Sequence, residues 1–430
     1  MTKFRKKGLI IAVAHDINLK TNESLEELEL LCKTLGIDVL EKVVQRREKP
    51  DPATYIGSGK LEKIKKLCDE NQIDVVVFDD EITPVQQRNL ESILKVPVLD
   101  RTQVILEIFS KHATTYEGKI QVEMAKLVYE LPRLRGKGLY LSNPGAGIGT
   151  RGPGETALEL DRRKLKQRIA VLRKELNKLK INRENTRRAR LSSGYYLVSI
   201  VGYTNAGKST LLSALSKESD ILVSDKLFST LNPTIRKVKL PSGRCCLVGD
   251  TVGFISKLPH TLVEAFHSTL EEILYSDLLL LVVDISDPFY KDKIAASYDV
   301  LQEIGAYEKP KMLVFNKIDA LPEDKVELIR YEYPEAVYIS AKHRIGFDDL
   351  FLKLESYFKS FDVHLNIKMA HSDYGLVSKY FEYVRIEELS SSDGYDFVQI
   401  SGPESIVLKI KNILDSRTEN NCFKESTMQN

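Results

Sequence analysis

The chain of 430 residues has no long hydrophobic run, and the longest, residues 278–283, is far short of the roughly 18 residues that a membrane-spanning helix requires. No membrane span is expected. Cysteines are few: Cys32, Cys68, Cys245, Cys246 and Cys422, an odd number without any Cys-x-x-Cys spacing. That excludes a disulfide framework and the usual zinc and redox motifs, and it predicts a reducing, cytoplasmic setting. A full secretory signal is also lacking. Basic residues 3–7 precede apolar residues 9–14, but the apolar run ends inside the Ala12-Val13-Ala14 stretch that would be cleaved. It reads better as a buried strand running into Asp16. With 43% hydrophobic and 29% charged residues, the chain is not a disordered tail. At about 150 residues per domain, its length predicts two to four domains.

The net charge of +2 hides an asymmetry. Residues 111–193 hold 20 Lys and Arg against 8 Asp and Glu, so the middle of the chain is a basic arm within an otherwise acidic sequence. Before it, apolar runs at 9–14, 39–44, 75–78 and 96–99 alternate with helical patterns at 25–35, 61–67 and 84–94. Such alternation predicts a parallel α/β domain over residues 1–110.

Within 111–193, Ile120, Met124, Leu127 and Leu131, and then Leu165, Ile169, Leu172, Leu176 and Leu179, recur at coiled-coil spacing. They predict an antiparallel helical hairpin. The Gly-rich residues 143–155 between them have too much backbone freedom for a regular element and fit a loop at its tip. Residues 194–364 resume the βα alternation, with strands at 197–201, 238–240, 245–248, 278–284, 312–315 and 337–339. A doubly wound domain is expected there. In residues 365–430, strand-like runs 380–386 and 397–400 flank Asp393-Gly394, and a helical pattern covers 406–414. These suit a small α+β appendage with a frayed tail.

The chemistry begins at Gly202-Tyr203-Thr204-Asn205-Ala206-Gly207-Lys208-Ser209, followed by Thr210. After a strand and opening a helix, its backbone N–H groups can wrap a phosphate, Lys208 can reach the β and γ oxygens, and Ser209 can hold Mg2+. Chance would supply the four fixed positions at roughly 4 in 100,000 sites. Asn316-Lys317-Ile318-Asp319 follows the strand at 312–315. A carboxylate there can accept from both N1–H and the exocyclic amine of guanine, which adenine does not offer at those positions. Ser340-Ala341-Lys342 ends the next strand and fits a loop whose backbone N–H meets guanine O6. In Asp250-Thr251-Val252-Gly253, the Asp can reach Mg2+ through water and the Gly N–H can meet the γ-phosphate. The segment Phe228-Ser229-Thr230-Leu231-Asn232 supplies a further Mg2+ ligand, expected to be Thr230, with Ser229 and Thr234 as rivals. Lys208, Thr230 and Gly253 are the expected catalytic groups.

With these motifs in order, residues 194–364 resemble a translation-factor-class GTPase. The wording of the motifs, together with Tyr55-Ile-Gly-Ser-Gly-Lys60 and Gly145-Ala-Gly-Ile-Gly-Thr-Arg-Gly-Pro-Gly-Glu155, resembles the HflX family over about residues 8–365. Ser229 and Asn232 stand where Ala and Asp are commoner in that pattern. The resemblance implies a P-loop GTPase that binds GTP and GDP with Mg2+, docks on the large ribosomal subunit and its rRNA, and separates or clears stalled ribosomes. It also implies that the Gly-rich loop reaches toward the peptidyl transferase centre. A monomer is expected.

Phe254 stands where many small GTPases carry the glutamine that orients the attacking water. A phenyl ring cannot do that, so it either simply packs or leaves hydrolysis slow until a partner completes the site, and both can hold. Gly57-Ser-Gly-Lys60 suggests a second phosphate loop, but Thr54 replaces the first glycine and Leu61 the hydroxyl residue. A strand-to-helix turn fits better. Residues 147–152 match the dinucleotide fingerprint, but no strand precedes them and Pro153 interrupts the chain directly after them.

Arg133, Arg135 and Lys137 lead into the Gly-rich loop, Arg151 lies in it, and Arg162, Arg163, Lys164, Lys166 and Arg168 leave it. Charged helices are commonly just solvated, but this one-signed excess suits RNA phosphates. Two rival functions stay open: an RNA-remodelling ATPase that uses the N-terminal domain with the GTPase as regulator, and a protein-only signalling switch.

Overall fold

A computed structural model describes residues 5–15, 19–134, 153–191, 194–216, 234–255, 257, 272–392 and 394–427. They fall into two compact units, one holding the described residues up to Lys180 together with 255 and 257, the other holding the rest. Among the described residues no helix is long and apolar enough to cross a membrane.

In the first unit the βα alternation yields β1 (Lys6–Ala14), α1 (Leu19–Leu35), β2 (Ile37–Arg46), α2 (Ser58–Asn71), β3 (Val75–Phe78), α3 (Pro84–Leu94) and β4 (Val98–Asp100). The strands form a parallel sheet in the order β2-β1-β3-β4. Leu9, Ile10 and Ile11 of β1 and Val76, Val77 and Phe78 of β3 are fully buried, because helices cover both faces of a parallel sheet.

At the strand ends the unit buries charge in pairs. Arg101, the first residue of α4 (Arg101–His112), meets Asp79 at 2.8 Å and also pairs with Glu27. Asp79 and Asp80 take the Lys257 ammonium at 2.5 and 2.6 Å. Burial alone would raise the Asp79 carboxyl, but Arg101 and Lys257 hold it below its ordinary value.

The helix α5 (Tyr116–Glu130) and residues 153–180 of α6 (Pro153–Leu191) run antiparallel within this unit, as the spacing predicts. Tyr116 Oη donates to Glu175 at 3.1 Å and Arg168 grips Glu123 at 2.7 and 3.0 Å, so the partner number falls as the other rises. Ile120, Ile169 and Leu172 are buried along these helices, while Arg163, Lys164 and Lys166 are exposed and Arg162 half-exposed.

Arg133 requires a correction. Its side chain is only 13% exposed, donates to Asp100 at 3.1 Å and to the Ile82 carbonyl at 2.9 Å, and lies 3.4 Å over the Tyr129 ring. The buried Asp100 carboxylate needs that charge, so Arg133 is withdrawn from the expected RNA contacts. Arg135, Lys137, Arg151 and the Gly-rich loop lie outside the described residues.

The second unit holds β5 (Leu197–Gly202), α7 (Lys208–Ser216), β6 (Thr234–Lys239), β7 (Cys245–Asp250), β8 (Leu278–Asp284), α8 (Tyr290–Glu303), β9 (Lys311–Asn316), α9 (Glu323–Glu332), β10 (Val337–Tyr338) and α10 (Phe347–Lys359). Its six-stranded sheet has the order β10-β9-β8-β5-β7-β6, with only β6 antiparallel. Strand β8 explains the long apolar run. Leu278, Leu280 and Val282 enter the core on one face, and Leu279, Leu281 and Val283 enter the other, so no position faces water. Because β7 and β8 flank β5 on opposite sides, the crevice at the carboxyl end of β5 is the switch point where doubly wound sheets bind ligands.

The C-terminal sheet has three antiparallel strands, β11 (Val363–Ala370), β12 (Arg385–Ser392) and β13 (Tyr395–Gly402), in the order β11-β13-β12, followed by α11 (Glu404–Thr427). Here the expected strand at 380–386 gives way. Ser378–Tyr380 is a 3-10 turn, and Tyr383 and Val384 donate back to the Tyr380 carbonyl, so the strand starts only at Arg385. Those apolar side chains pack as a turn against the small core of Met369, Val398, Ile400 and Ile406.

Arg244 pairs with Asp362 at 2.6 and 2.9 Å, side chains 6% and 1% exposed, and Tyr196 Oη donates to the same carboxylate at 3.1 Å. We predict that Arg244→Met costs about 3–5 kcal/mol in urea unfolding, because it strands a buried carboxylate. Adding Asp362→Leu should recover most of that loss. A single variant as stable as the parent would show that the pair is not desolvated.

Candidate nucleotide site

The site is built where β5, β7 and β9 end. From β5 the chain turns at Gly202 and runs through Tyr203, Thr204 and an Asn205 in left-handed conformation (φ 62°) into Lys208, the first residue of α7. Gly207 has φ 92°, and a Cβ there would lie 2.2 Å from the Asn316 amide nitrogen, so neither the conformation nor the space tolerates a side chain. The loop is held from behind: Phe254 N–H donates to the Gly202 carbonyl at 3.0 Å, and Thr204 N–H to the Phe254 carbonyl at 2.8 Å.

Lys208 is 7% exposed and donates to the Tyr203 carbonyl at 2.6 Å. Burial lowers its pKa to about 8, with Asp250 opposing the shift. A cation so poorly solvated gains more from an incoming phosphate than an exposed lysine would. Ser209 Oγ donates to Asp250 Oδ2 at 2.6 Å, which joins the start of α7 to the end of β7. A hydroxyl and a carboxylate side by side at a helix N-terminus form the hard oxygen set that suits Mg2+. A Cβ on Gly253 would lie 2.8 Å from Lys208 Nζ, so the Asp-x-x-Gly turn also reaches the lysine.

Three neighbours turn their side chains into the protein. The Thr251 hydroxyl donates to the Ile200 carbonyl at 2.7 Å, which pins the turn to β5 and leaves only the backbone of Thr251 to face a nucleotide. Val252 is buried beside it, and the Phe254 ring is buried with Tyr203, Ile273 and Leu281. Phe254 therefore packs, and its backbone holds the phosphate loop. Phe228, Ser229, Thr230, Leu231 and Asn232 lie outside the described residues. Thr210 is half-buried on the first turn of α7.

At the end of β9, Asn316 faces inward. Its Nδ2 donates to the Ala206 carbonyl at 2.8 Å, and its Oδ1 accepts from Ala341 N–H at 2.9 Å. One buried amide thus clamps the phosphate loop to the Ser-Ala-Lys loop, and of that loop's backbone donors the Ala341 N–H is engaged inside the protein. Lys317 has φ 66° and pairs with Asp284 at 2.6 Å. The Asp319 carboxyl is held below its ordinary pKa chiefly by the Ser340 hydroxyl, with His343, 3.6 Å away, and Lys342 assisting. Asp319 therefore stays ionised as an acceptor, as reading a guanine edge demands.

Sequence reasoning missed Asp284 and His343. Asp284 carried a signal, as the polar residue that closes an apolar strand; His343 carried none. At the turn before α2, Gly57 N–H donates to Gln45 Oε1 at 2.9 Å, and a Cβ on Gly57 would lie 3.0 to 3.1 Å from the Arg47 and Gln45 side chains. Side chains fill the space that a second phosphate would need.

Residues 22–110, 112–190 and 197–317 match, in turn, the families described as GTP-binding GTPase N-terminal, GTP-binding GTPase Middle Region and 50S ribosome-binding GTPase. A GTPase HflX from Lacrimispora saccharolytica is 43% identical over 97% of this chain and 99% of its own. The chain belongs to the HflX family of GTPases. Another HflX GTPase, from Caldanaerobacter subterraneus subsp. tengcongensis, is 48% identical over 82% of this chain and 81% of its own, and that of Escherichia coli K12 is 38% identical over 89% and 91%. As an HflX GTPase the chain is a GTP-hydrolysing enzyme, and the family resemblance carried by the motifs is the relationship found.

Because Lys208 titrates near 8, it is charged below that pH and neutral above it, so binding a phosphate requires proton uptake once the pH passes that value. We predict that GTP affinity, measured by calorimetry, is flat below about pH 8 and falls by up to about tenfold per pH unit above it. Lys208→Ala should lose most affinity or turnover and this pH dependence. A Lys208→Ala protein with parental affinity would contradict the placement of the phosphates. Asp319→Asn should weaken GTP and favour xanthosine triphosphate, whose 2-oxo group accepts from the new amide. A variant that retains the parental preference would show that the base is read elsewhere.

Proposed function

We propose that this GTPase docks in its GTP-bound form on the large ribosomal subunit, separates or rescues stalled ribosomes, and leaves after hydrolysis. The observation that carries this reading is the match of residues 197–317 to a family described as 50S ribosome-binding GTPases. The exposed cations at Arg163, Lys164 and Lys166 support it, because they suit RNA phosphates. In this reading residues 1–110, 111–193, 194–364 and 365–430 are the N-terminal domain, the arm, the GTPase domain and the appendage. The protein acts as a monomer in the cytoplasm.

The backbone of residues 202–210 wraps the phosphates, Lys208 neutralises the β and γ oxygens, and Asp319 selects guanine. Ala341 N–H being engaged by Asn316, the backbone of Lys342 takes the place next to guanine O6. Ser209, Thr230 and, through water, Asp250 would hold Mg2+, whose charge would offset that of the phosphates. Phe254 offers no group to orient water, so a partner must order the attack, and intrinsic hydrolysis is slow.

Sedimentation with isolated large subunits tests this. We expect co-sedimentation with a non-hydrolysable GTP analogue, loss with GDP, no response to ATP, and a strong rise in GTP turnover on subunits. Binding that ignores the nucleotide, or equal turnover with and without subunits, would overturn the reading. Neutralising Arg151, Arg162 and Arg163 should weaken subunit binding and lower the slope of log affinity on log salt by roughly 2–3, leaving nucleotide affinity unchanged.

A further inference from the structure

The C-terminal sheet has one covered face and one open face. Along β13, Val398 and Ile400 point into the core with Ile406, Val407 and Ile410 of α11. On the opposite face stand Tyr395 and Phe397, 44% and 43% exposed, two positions apart on the central strand. Lys368, paired with Phe397 on β11, places its ammonium 4.2 Å from the Tyr395 ring centre and 5.9 Å from that of Phe397. Beside them Gln399 Nε2 donates to Asn366 Oδ1 at 3.1 Å. Among the described residues the acid on this face, Glu387, is met by Arg385 at 2.7 Å, which leaves Lys368 as their net charge. Asp396 points the other way, accepting from Ser391.

Two exposed rings under a cation, with amides alongside, match the surface that sheet-based RNA readers use: aromatic side chains on the central strands stack unpaired bases, and nearby cations meet the backbone. The sequence agrees. Residues 393–400 read Asp-Gly-Tyr-Asp-Phe-Val-Gln-Ile, against the pattern Lys/Arg-Gly-Phe/Tyr-Gly/Ala-Phe-Val-x-Phe/Tyr of such strands. Gly394, Tyr395, Phe397 and Val398 fall in place, and the first two ring positions are the exposed ones. There are three departures: Asp393 puts an acid where the pattern has a cation, which leaves Lys368 as the cation of the face, and Asp396 and Ile400 lie on the covered face, where they cannot obstruct a base. The order strand, helical turn, strand, strand, helix, with β13 in the centre, is the corresponding part of a split βαβ arrangement.

We propose that the open face of this sheet binds single-stranded RNA, with two unpaired bases stacked on Tyr395 and Phe397 and Lys368 moving from the ring to the phosphate backbone. Gln399 and Asn366 offer donors and acceptors to the base edges. None of its residues belongs to the nucleotide site or the basic arm, and RNA binding there does not depend on docking to the ribosome.

The test is fluorescence anisotropy of a short, labelled, mixed-sequence single-stranded RNA with the full chain, at salt high enough to suppress the electrostatic share of binding from the arm. Replacing both rings (Tyr395→Ala with Phe397→Ala) should weaken binding by roughly tenfold or more per ring. Tyr395→Phe, which keeps the π face, should bind within about twofold of the parent. GTP turnover should be unchanged in both, which shows that the chain is folded. A double alanine variant with parental affinity, a Tyr395→Phe loss as large as that of alanine, or equal binding of duplex RNA would overturn the proposal. The first of these would leave the face to a protein partner.

Discussion

Everything at the nucleotide site depends on keeping one ammonium group charged and dry until a phosphate arrives. Lys208 is buried at the start of α7, with a carbonyl of its own loop at 2.6 Å and Asp250 as the nearby opposing charge. Such a group is unstable unless its surroundings are rigid, because water or a competing anion would relieve it. The geometry around it is accordingly over-determined. Phe254 bonds the start of the loop at Gly202 and Thr204, Thr251 ties the Asp-x-x-Gly turn to β5, and Gly207 leaves no room between the loop and Asn316. Preorganised dipoles of this kind need no rearrangement when charge develops on a phosphate, which is the main lever phosphoryl transfer offers a protein.

Asn316 shows how the base pocket and the phosphate loop become one site. Its two amide atoms are both taken, by Ala206 and by Ala341, so its contribution is positional. Asp319 is held differently, as an ionised acceptor with Ser340 and His343 beside it. A parallel sheet makes this economical. The ends of β5, β7, β9 and β10 converge on one edge, so short loops bring residues more than a hundred positions apart within hydrogen-bond distance.

How much of this is legible in the sequence depends on how local each signal is. The phosphate loop, the buried strand β8 and the antiparallel helices α5 and α6 are written in contiguous spacing, and each reads in its observed state. The side chains that face inward do not. Arg133 reads as one cation in a basic run, and only the fold reveals Asp100 beneath it. Thr251 sits inside a nucleotide motif yet bonds the strand behind it. Residues 363–370 alternate apolar and polar as a strand should, but the run straddles the domain boundary expected at 364/365 and is not read as a strand. The aromatic cluster near 380 reads as the strand instead, because Tyr and Val favour strands wherever they stand. A turn closed by hydrogen bonds to the Tyr380 carbonyl overrides that propensity.

The appendage is not loosely tethered to the domain before it. Arg244 and Asp362 form a buried pair, Tyr196 adds its hydroxyl, and Glu382 meets Lys237 and Tyr195 while its carbonyl accepts from Cys245 N–H at 2.7 Å. The anchoring partners Lys237, Arg244 and Cys245 lie on the β6–β7 hairpin, and β7 ends at Asp250, the carboxylate beside Ser209. A strand pair that ends in the nucleotide site at one tip and carries a second folded body at the other is a rigid connection between them. In this chain the C-terminal sheet is therefore anchored on the strand whose far end carries Asp250 beside Ser209.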